Sequence, residues 1–153
     1  MLPECSEVAA MCACFNLRKA SRAVTHSYDS VLRASGLRAT QFSVLVGVSL
    51  RGEAPVGELA DMLGLNRTTL TRNLGVLESN GLVAVSPGRD RRARHVSLTE
   101  AGERALREAL PLWRKAQSKT VESLGPERWD GLLENLSRLS GGRGSSRSRS
   151  LRS

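Results

Sequence analysis

Two short β-type runs and a cationic loop between them interrupt a chain whose pattern is otherwise helical. The runs are LVAVS at 82–86 and HVSL at 95–98, and Pro87-Gly88 begins the connection. Valine-containing runs bounded by proline and glycine predict the two strands of a hairpin. The loop reads RDRRAR at 89–94, so positive charge is concentrated at its tip. Such a tip is typical of a wing that contacts DNA phosphates or the minor groove, although a charged loop can also simply face water.

Apolar residues at helical spacing predict four helices before this hairpin, the first three as follows. The first covers about 6–34, and the second begins at a Thr40 cap and ends at Arg51-Gly52. The third is a short amphipathic helix that follows Pro55 and closes at Gly64. Its length suits the supporting helix of a helix-turn-helix.

A fourth helix is predicted between an Asn66 N-cap and the helix-ending pair Asn80-Gly81. Its inward stripe is leucine, at positions 70, 74 and 77. The opposite face carries side chains that can contact base edges or phosphates in the major groove, although most polar helix faces only contact solvent. The candidate DNA-binding residues of this helix are Arg67, Thr68, Thr69, Thr71 and Arg72.

Two further helices are predicted after the hairpin. Thr99 caps a long helix that extends to about Lys119, and an interior proline, Pro111, predicts a kink or a break in it. The last helix begins at Pro126, which suits a first helical turn, and ends near Leu139.

The predicted fold is mainly α with a small β-wing, a winged helix-turn-helix in one domain over 1–140. Its reading module covers about 53–98. The flanking helices, about 6–34 and 99–139, carry more apolar surface than a small wing domain needs, which predicts a homodimer rather than a monomer with a helical cap. Twofold pairing predicts an inverted-repeat site in double-stranded DNA. Residues 141–153 contain only Gly, Ser, Arg and one Leu, and a disordered basic tail is predicted there.

Charge and composition limit the classes of function. The chain has 23 basic and 15 acidic residues, which gives a net charge of +8. Four of these charges are arginines of the tail, so the rest of the chain carries +4. A nonspecific architectural DNA-binding protein needs a basic surface broader than one helix and a wing. Such a protein is the alternative function from a different class. No apolar run suits a secretion signal or membrane span, so a cytoplasmic protein is expected. We also expect no enzyme activity, cofactor or metal site, because no catalytic or ligating constellation is evident.

The sequence from 59 to 102 resembles the multiple-antibiotic-resistance regulator (MarR) family of winged-helix repressors. The resemblance is carried by the D-x-R run that begins at Asp90 and by the downstream L-T-x-x-G of Leu98, Thr99 and Gly102. It implies a dimeric DNA-binding repressor whose recognition helix, here 66–80, enters the major groove. It also implies release of DNA by a small-molecule inducer or an oxidant.

The resemblance further implies roles for residues of the wing. Arg92 would enter the minor groove, and Arg91 would serve the wing with it. Asp90 would hold a nearby arginine, Arg94 or Arg91, although a plain surface ion pair is the alternative.

A narrower resemblance concerns the first helix. Cys14-Phe15-x-Leu17, followed by Ser21-Arg22 and Tyr28, is similar to the organic-hydroperoxide-sensing branch of the same family, in which a first-helix cysteine is the sensor. It implies that Cys14 is the sensor thiol, with Tyr28 as a nearby hydroxyl. Cys12 is not part of that pattern and is a candidate resolving thiol, in the same subunit or the other. Packing as a small apolar residue is the alternative for Cys14. Arg18 and Ala39 differ from that branch, which tends to have tyrosines at both positions.

Overall fold

The structure is a computed structural model that describes residues 2–88 and 94–141. The chain divides into two compact units, Met1–Ala116 and Gln117–Ser153. The elements of the described residues are, in chain order, α1 (Pro3–Met11), α2 (Ala13–Leu32), α3 (Ala39–Arg51), β1 (Ala54–Pro55), α4 (Val56–Leu63), α5 (Arg67–Ser79), β2 (Val83–Pro87), β3 (Arg94–Leu98), α6 (Glu100–Leu124) and α7 (Pro126–Leu139). This mainly helical fold with a small sheet confirms the predicted fold class. The single-domain boundaries stay a prediction, and the predicted tail lies outside the described residues from position 142 onward.

The predicted first helix is wrong as one continuous element, because the chain breaks at Cys12. That residue has an extended backbone, with ψ of 115°, and separates α1 from α2. The break frees backbone carbonyls at the end of α1. The side-chain amide of Asn16 donates to three of the carbonyls around it, those of Ala9 at 3.2 Å, Ala10 at 3.4 Å and Cys12 at 3.0 Å.

The N-terminus of α3 differs from the predicted cap at Thr40. The helix begins at Ala39 with Arg38 as its N-cap, two residues before the predicted cap. The carboxylate of Asp29, in α2, accepts a 2.6 Å hydrogen bond from the backbone N–H of Ala39. A carboxylate at this end of a helix satisfies a free donor and interacts favourably with the helix dipole. Asp29 therefore joins the end of α2 to the start of α3.

The helix-turn-helix formed by α4 and α5 follows the predicted signals closely. Gly64 ends α4 in the left-handed conformation, with φ of 62°. Asn66 is the N-cap of α5, and its side-chain oxygen accepts a 2.7 Å hydrogen bond from the backbone N–H of Thr69. The exact start of the recognition helix is therefore a local property of this sequence.

The sheet has three antiparallel strands in the order β1-β3-β2. The two predicted strands are present as β2 and β3, and Val85 pairs with Val96. The third strand, β1, was missed because it has only two residues, Ala54 and Pro55, which pair with the central strand. It joins the sheet directly before α4 and so ties the helix-turn-helix to the wing.

The long helix α6 begins as predicted, because the Thr99 hydroxyl accepts a 3.0 Å hydrogen bond from the backbone N–H of Gly102. Of the kink or break predicted at Pro111, the break is wrong, since one helix continues through it to Leu124, and the kink stays a prediction. Pro111 is exposed, so water can satisfy the carbonyl that loses its hydrogen-bond donor.

The core of the first unit lies between α3, α5, the sheet and the first half of α6. Its fully buried side chains include Leu45 of α3, Leu70 and Leu77 of α5, and Val96 of β3. Phe42 of α3 stacks on Trp113 of α6, with ring centroids 6.4 Å apart. The inward leucine stripe predicted for α5 is confirmed, and it directs the polar face of that helix outward.

In the second unit, α7 begins at Pro126 and ends at Leu139, as predicted. None of its residues is buried, and its leucines at 133, 136 and 139 are exposed. An amphipathic helix with this much exposed apolar surface is typical of a packing surface for another protein chain.

Candidate nucleic-acid interface

The outward face of α5 has the composition expected of a surface that reads DNA. All five residues predicted for it, Arg67, Thr68, Thr69, Thr71 and Arg72, are exposed. Directly beneath them lie the buried leucines of the same helix. Fixed hydroxyls and guanidinium groups on a rigid helix can meet base edges and phosphates.

Arg67, like Thr71, borders a groove beside this surface. Its guanidinium lies beside the first turn of α4, where Nη2 would be 3.6 Å from a Cβ built on Gly57. It lines a cavity of about 590 Å³ between α4, α5 and the sheet. The same cavity is lined by Glu58, Asp61 and Glu78. These carboxylates disfavour phosphate inside the cavity. This groove was not predicted from the sequence. The signal that could have indicated it is the i, i+3 spacing of Glu58 and Asp61, which places both carboxylates on the same face of α4.

The wing is described at its base only. Arg94 is exposed at the first residue of β3, paired with Pro87 of β2. It lines the same cavity as Arg67, so the structure brings a wing arginine and a recognition-helix arginine to one groove. The predictions for Asp90, Arg91 and Arg92, including the ion pair of Asp90, fall outside the described residues.

The three cysteines lie in and around the break between α1 and α2. Cys5 and Cys14 are exposed, Cys12 is partly buried, and all three are free thiols. The side chain of Cys14 is exposed in the single chain, and its role as a sensor or as a packed residue stays a prediction. Tyr28 packs against the core, and fourteen residues of α2 separate it from Cys14, roughly 21 Å along the axis. One chain therefore does not bring Tyr28 and Cys14 together.

Neither a metal site nor a membrane span is evident in residues 2–88 and 94–141. No group of three or more His, Cys, Asp and Glu side chains is placed there to hold a metal ion. Over the same ranges, no helix has both the length and the apolar character that a membrane crossing requires.

A recognition helix supported by a shorter helix and followed by an antiparallel hairpin defines this protein as a winged helix-turn-helix protein. A sequence profile described as the MarR family matches residues 35–93. The chain is 42% identical to the transcriptional regulator MosR of M. tuberculosis, solved in complex with DNA, covering 86% of this chain and 97% of MosR with a TM-score of 0.75. The chain belongs to the MarR family of transcriptional regulators.

Two further relatives extend this similarity. The transcriptional repressor CouR, solved on a 23-mer DNA duplex, is 27% identical over 92% of this chain and 97% of CouR, with a TM-score of 0.77. The transcriptional repressor MprA of Escherichia coli K12 is 35% identical over 86 residues, 54% of this chain. The match spans about half of MprA, 49% of its length. Members of the family regulate transcription and are not enzymes, which confirms the predicted absence of an enzyme.

Proposed function

We propose that this protein is a sequence-specific repressor that binds double-stranded DNA with α5 in the major groove and the wing beside it. The observation that carries the proposal is the opposition of two faces on α5, with leucines buried in the core and a row of Thr and Arg exposed. Two related proteins solved on DNA, MosR and CouR, support it. The activity belongs in the cytoplasm because it requires access to chromosomal DNA.

Different residues of this surface have different roles. Arg72 can make a bidentate pair with guanine, and the threonines can contact thymine methyl groups or phosphates. Arg67, at the first residue of α5, contacts a phosphate outside the cavity that it lines. From the wing, we propose that Arg92 enters the minor groove and Arg91 contacts the backbone, with Asp90 holding Arg94 in place.

The test is selection of a preferred duplex from random DNA, followed by anisotropy titrations with that duplex and a scrambled one. Arg72→Ala should weaken binding to the selected duplex by about tenfold or more, because one bidentate base contact contributes about 1–3 kcal/mol. Binding to scrambled DNA should fall less, since it depends mainly on phosphates.

The matched control is Arg104→Ala, which removes the same charge from an exposed position on α6. It should leave the preference for the selected duplex unchanged. An Arg72→Ala protein that keeps the full preference would remove Arg72 as a base reader. Equal, strongly salt-dependent binding of the wild type to both duplexes would favour the architectural alternative.

We propose a homodimer as the active form. Exposed apolar side chains at both ends of the chain support it, among them Val8 and Phe15 near the N-terminus and Leu133 and Leu136 on α7. A twofold dimer presents two recognition helices, so the selected duplex should be an inverted repeat with half-sites about one turn apart. A single half-site, or a direct repeat, would contradict this arrangement.

We also propose that a small molecule releases the protein from DNA. A second cavity, of about 460 Å³, supports this and lies between α3, β3 and α6. Its lining is mainly apolar, with Val48, Leu106 and Leu110, and the Arg107 guanidinium there is paired with the Glu103 carboxylate at 3.5 Å. Such a site suits a mainly apolar compound without a net charge, because the two charges of its lining compensate each other.

Release by oxidation is the second candidate, and the exposure of Cys14 favours it. Attack of the Cys14 thiolate on a hydroperoxide breaks the O–O bond, forms a sulfenic acid and releases an alkoxide, which takes up a proton to become the alcohol. Condensation with the Cys12 thiol then gives a disulfide and water.

An organic hydroperoxide should abolish binding to the selected duplex, and dithiothreitol should restore it. Cys14→Ser should stay bound during the treatment, whereas Cys5→Ser, which removes another exposed thiol, should respond like the wild type. A Cys14→Ser protein that is still released would exclude Cys14 as the sensor, and wild-type binding that ignores the peroxide would favour the small molecule.

A further inference from the structure

The junction between α5 and α6 is held by more contacts than a helix cap needs. Besides capping α6, the Thr99 hydroxyl donates a 2.6 Å hydrogen bond to the carbonyl of Gly81, eighteen residues earlier. The backbone N–H of Thr99 donates to the carbonyl of Leu82 at 3.2 Å. One threonine therefore bonds to the first turn of α6 and to the segment that follows α5. We call the set of Gly81, Leu82, Thr99 and Gly102 the α5–α6 clamp.

Gly102 allows the two segments of the clamp to approach this closely. A Cβ at this buried position would overlap the carbonyl oxygen of Leu82, and it would lie 3.0 Å from the carbonyl carbon. The obstacle is backbone, which cannot rotate away as a flexible side chain can. The carbonyl of Leu82 thus lies directly against the first turn of α6.

The clamp is rigidly connected to the recognition helix. The N–H of Leu82 donates to the carbonyl of Leu77 at 2.9 Å, and the N–H of Gly81 donates to that of Glu78 at 2.9 Å. Gly81 has a φ of 70°, a conformation that closes the end of a helix and favours glycine. Leu77 is fully buried. A shift of the clamp would therefore move the last turn of α5.

On its other side the clamp is connected to a fixed part of the core. Leu106 and Ala109, one and two turns beyond Gly102, are buried. Trp113 continues the same helix and stacks on Phe42. The first half of α6 is therefore a stable support against which α5 can be held.

We propose that the α5–α6 clamp positions the recognition helix for DNA reading, with Thr99 as its central positioning residue. The proposal rests on the proposed function, because it assigns the clamp a role in base readout. Hydrogen bonds to base edges need donor–acceptor distances of about 2.7–3.2 Å and good angles, so a small rotation of α5 disrupts them. Contacts with phosphates carry no sequence information and are less sensitive to that rotation. Loss of the clamp therefore lowers sequence preference more than it lowers general DNA affinity.

The test compares Thr99→Val, which keeps the side-chain shape and loses the hydroxyl, with Thr99→Ser, which keeps the hydroxyl. For Thr99→Val we expect the Kd for the selected duplex to be about tenfold higher than that of the wild type, which is the effect of losing one good base contact. The Kd for scrambled DNA should stay within about twofold of the wild-type value. Thr99→Ser should restore the preference. Val44→Ala is the control for stability, because it removes fully buried atoms of α3 away from the clamp and should keep the preference when folded.

Two outcomes would overturn the proposal: a folded Thr99→Val protein with wild-type preference, or one that loses affinity equally for both duplexes. If the wild type prefers no duplex, the proposed function fails, and amide hydrogen exchange then decides on the clamp. Thr99→Val should accelerate exchange over 77–82 while exchange over 42–48 stays unchanged. Unchanged exchange over 77–82 would show that Thr99 does not hold the end of α5.

Discussion

Replacing Gly102 by alanine should cost about 3 kcal/mol or more in the free energy of unfolding, a large overpacking effect. The added Cβ cannot fit beside the carbonyl of Leu82 unless α6 or the segment after α5 moves. Either movement would also lengthen the hydrogen bonds that Thr99 makes to Gly81 and Leu82. Chemical denaturation followed by circular dichroism measures the loss directly.

Gly75→Ala is the matched control for this prediction. Gly75 also lies in a helix, but a Cβ there has nothing within 4 Å. The same substitution should therefore stabilise the protein, by up to about 1 kcal/mol, because alanine has the higher helix propensity. If both variants were equally stable, the close approach of α6 to Leu82 would be wrong.

Replacing Leu70 by alanine should destabilise the protein by about 2–5 kcal/mol, the range for removing a buried leucine side chain. Leu70 is fully buried and lies between the exposed residues Thr69 and Thr71. A total stability of about 5–15 kcal/mol is ordinary for a domain, so this loss is a large fraction of it. The same denaturation experiment measures the change.

Val76→Ala is the control within the same helix. Val76 is 43% exposed, and its truncation should change stability by no more than about 0.5 kcal/mol. Equal effects of the two truncations would mean that α5 does not pack through its leucine stripe. The assignment of the opposite face to DNA would then be lost as well, because the two faces are defined by the same helical phase.

The features that sequence analysis predicted correctly depend on residues that are close together in the chain. Asn66 bonds to a backbone N–H three residues away, and Thr99 does the same at the start of α6. The leucine stripe of α5 follows from helical periodicity alone. The polar face that carries Thr68 and Arg72 follows from the same periodicity, and so the candidate site on α5 could be predicted.

The features that were missed or wrong depend on distant contacts or on solvent exposure. The strand β1 is too short to be recognised by itself and exists because β3 lies beside it. At the start of α3, the backbone N–H of Ala39 donates to the carboxylate of Asp29, ten residues earlier. In the sequence, Pro111 predicts a break in the helix. Its exposed position lowers the free-energy cost of a proline inside the helix, because water can bond the carbonyl that has lost its donor.

The sequence by itself determined the order of the helices, the hairpin and the two faces of the recognition helix, because local hydrogen bonds and side-chain periodicity depend on neighbouring residues. Only the tertiary structure decided how α5 is held against α6. That arrangement depends on Thr99 and Gly102 meeting a turn some twenty residues earlier in the chain, and a contact between such distant segments forms only when every intervening element has packed.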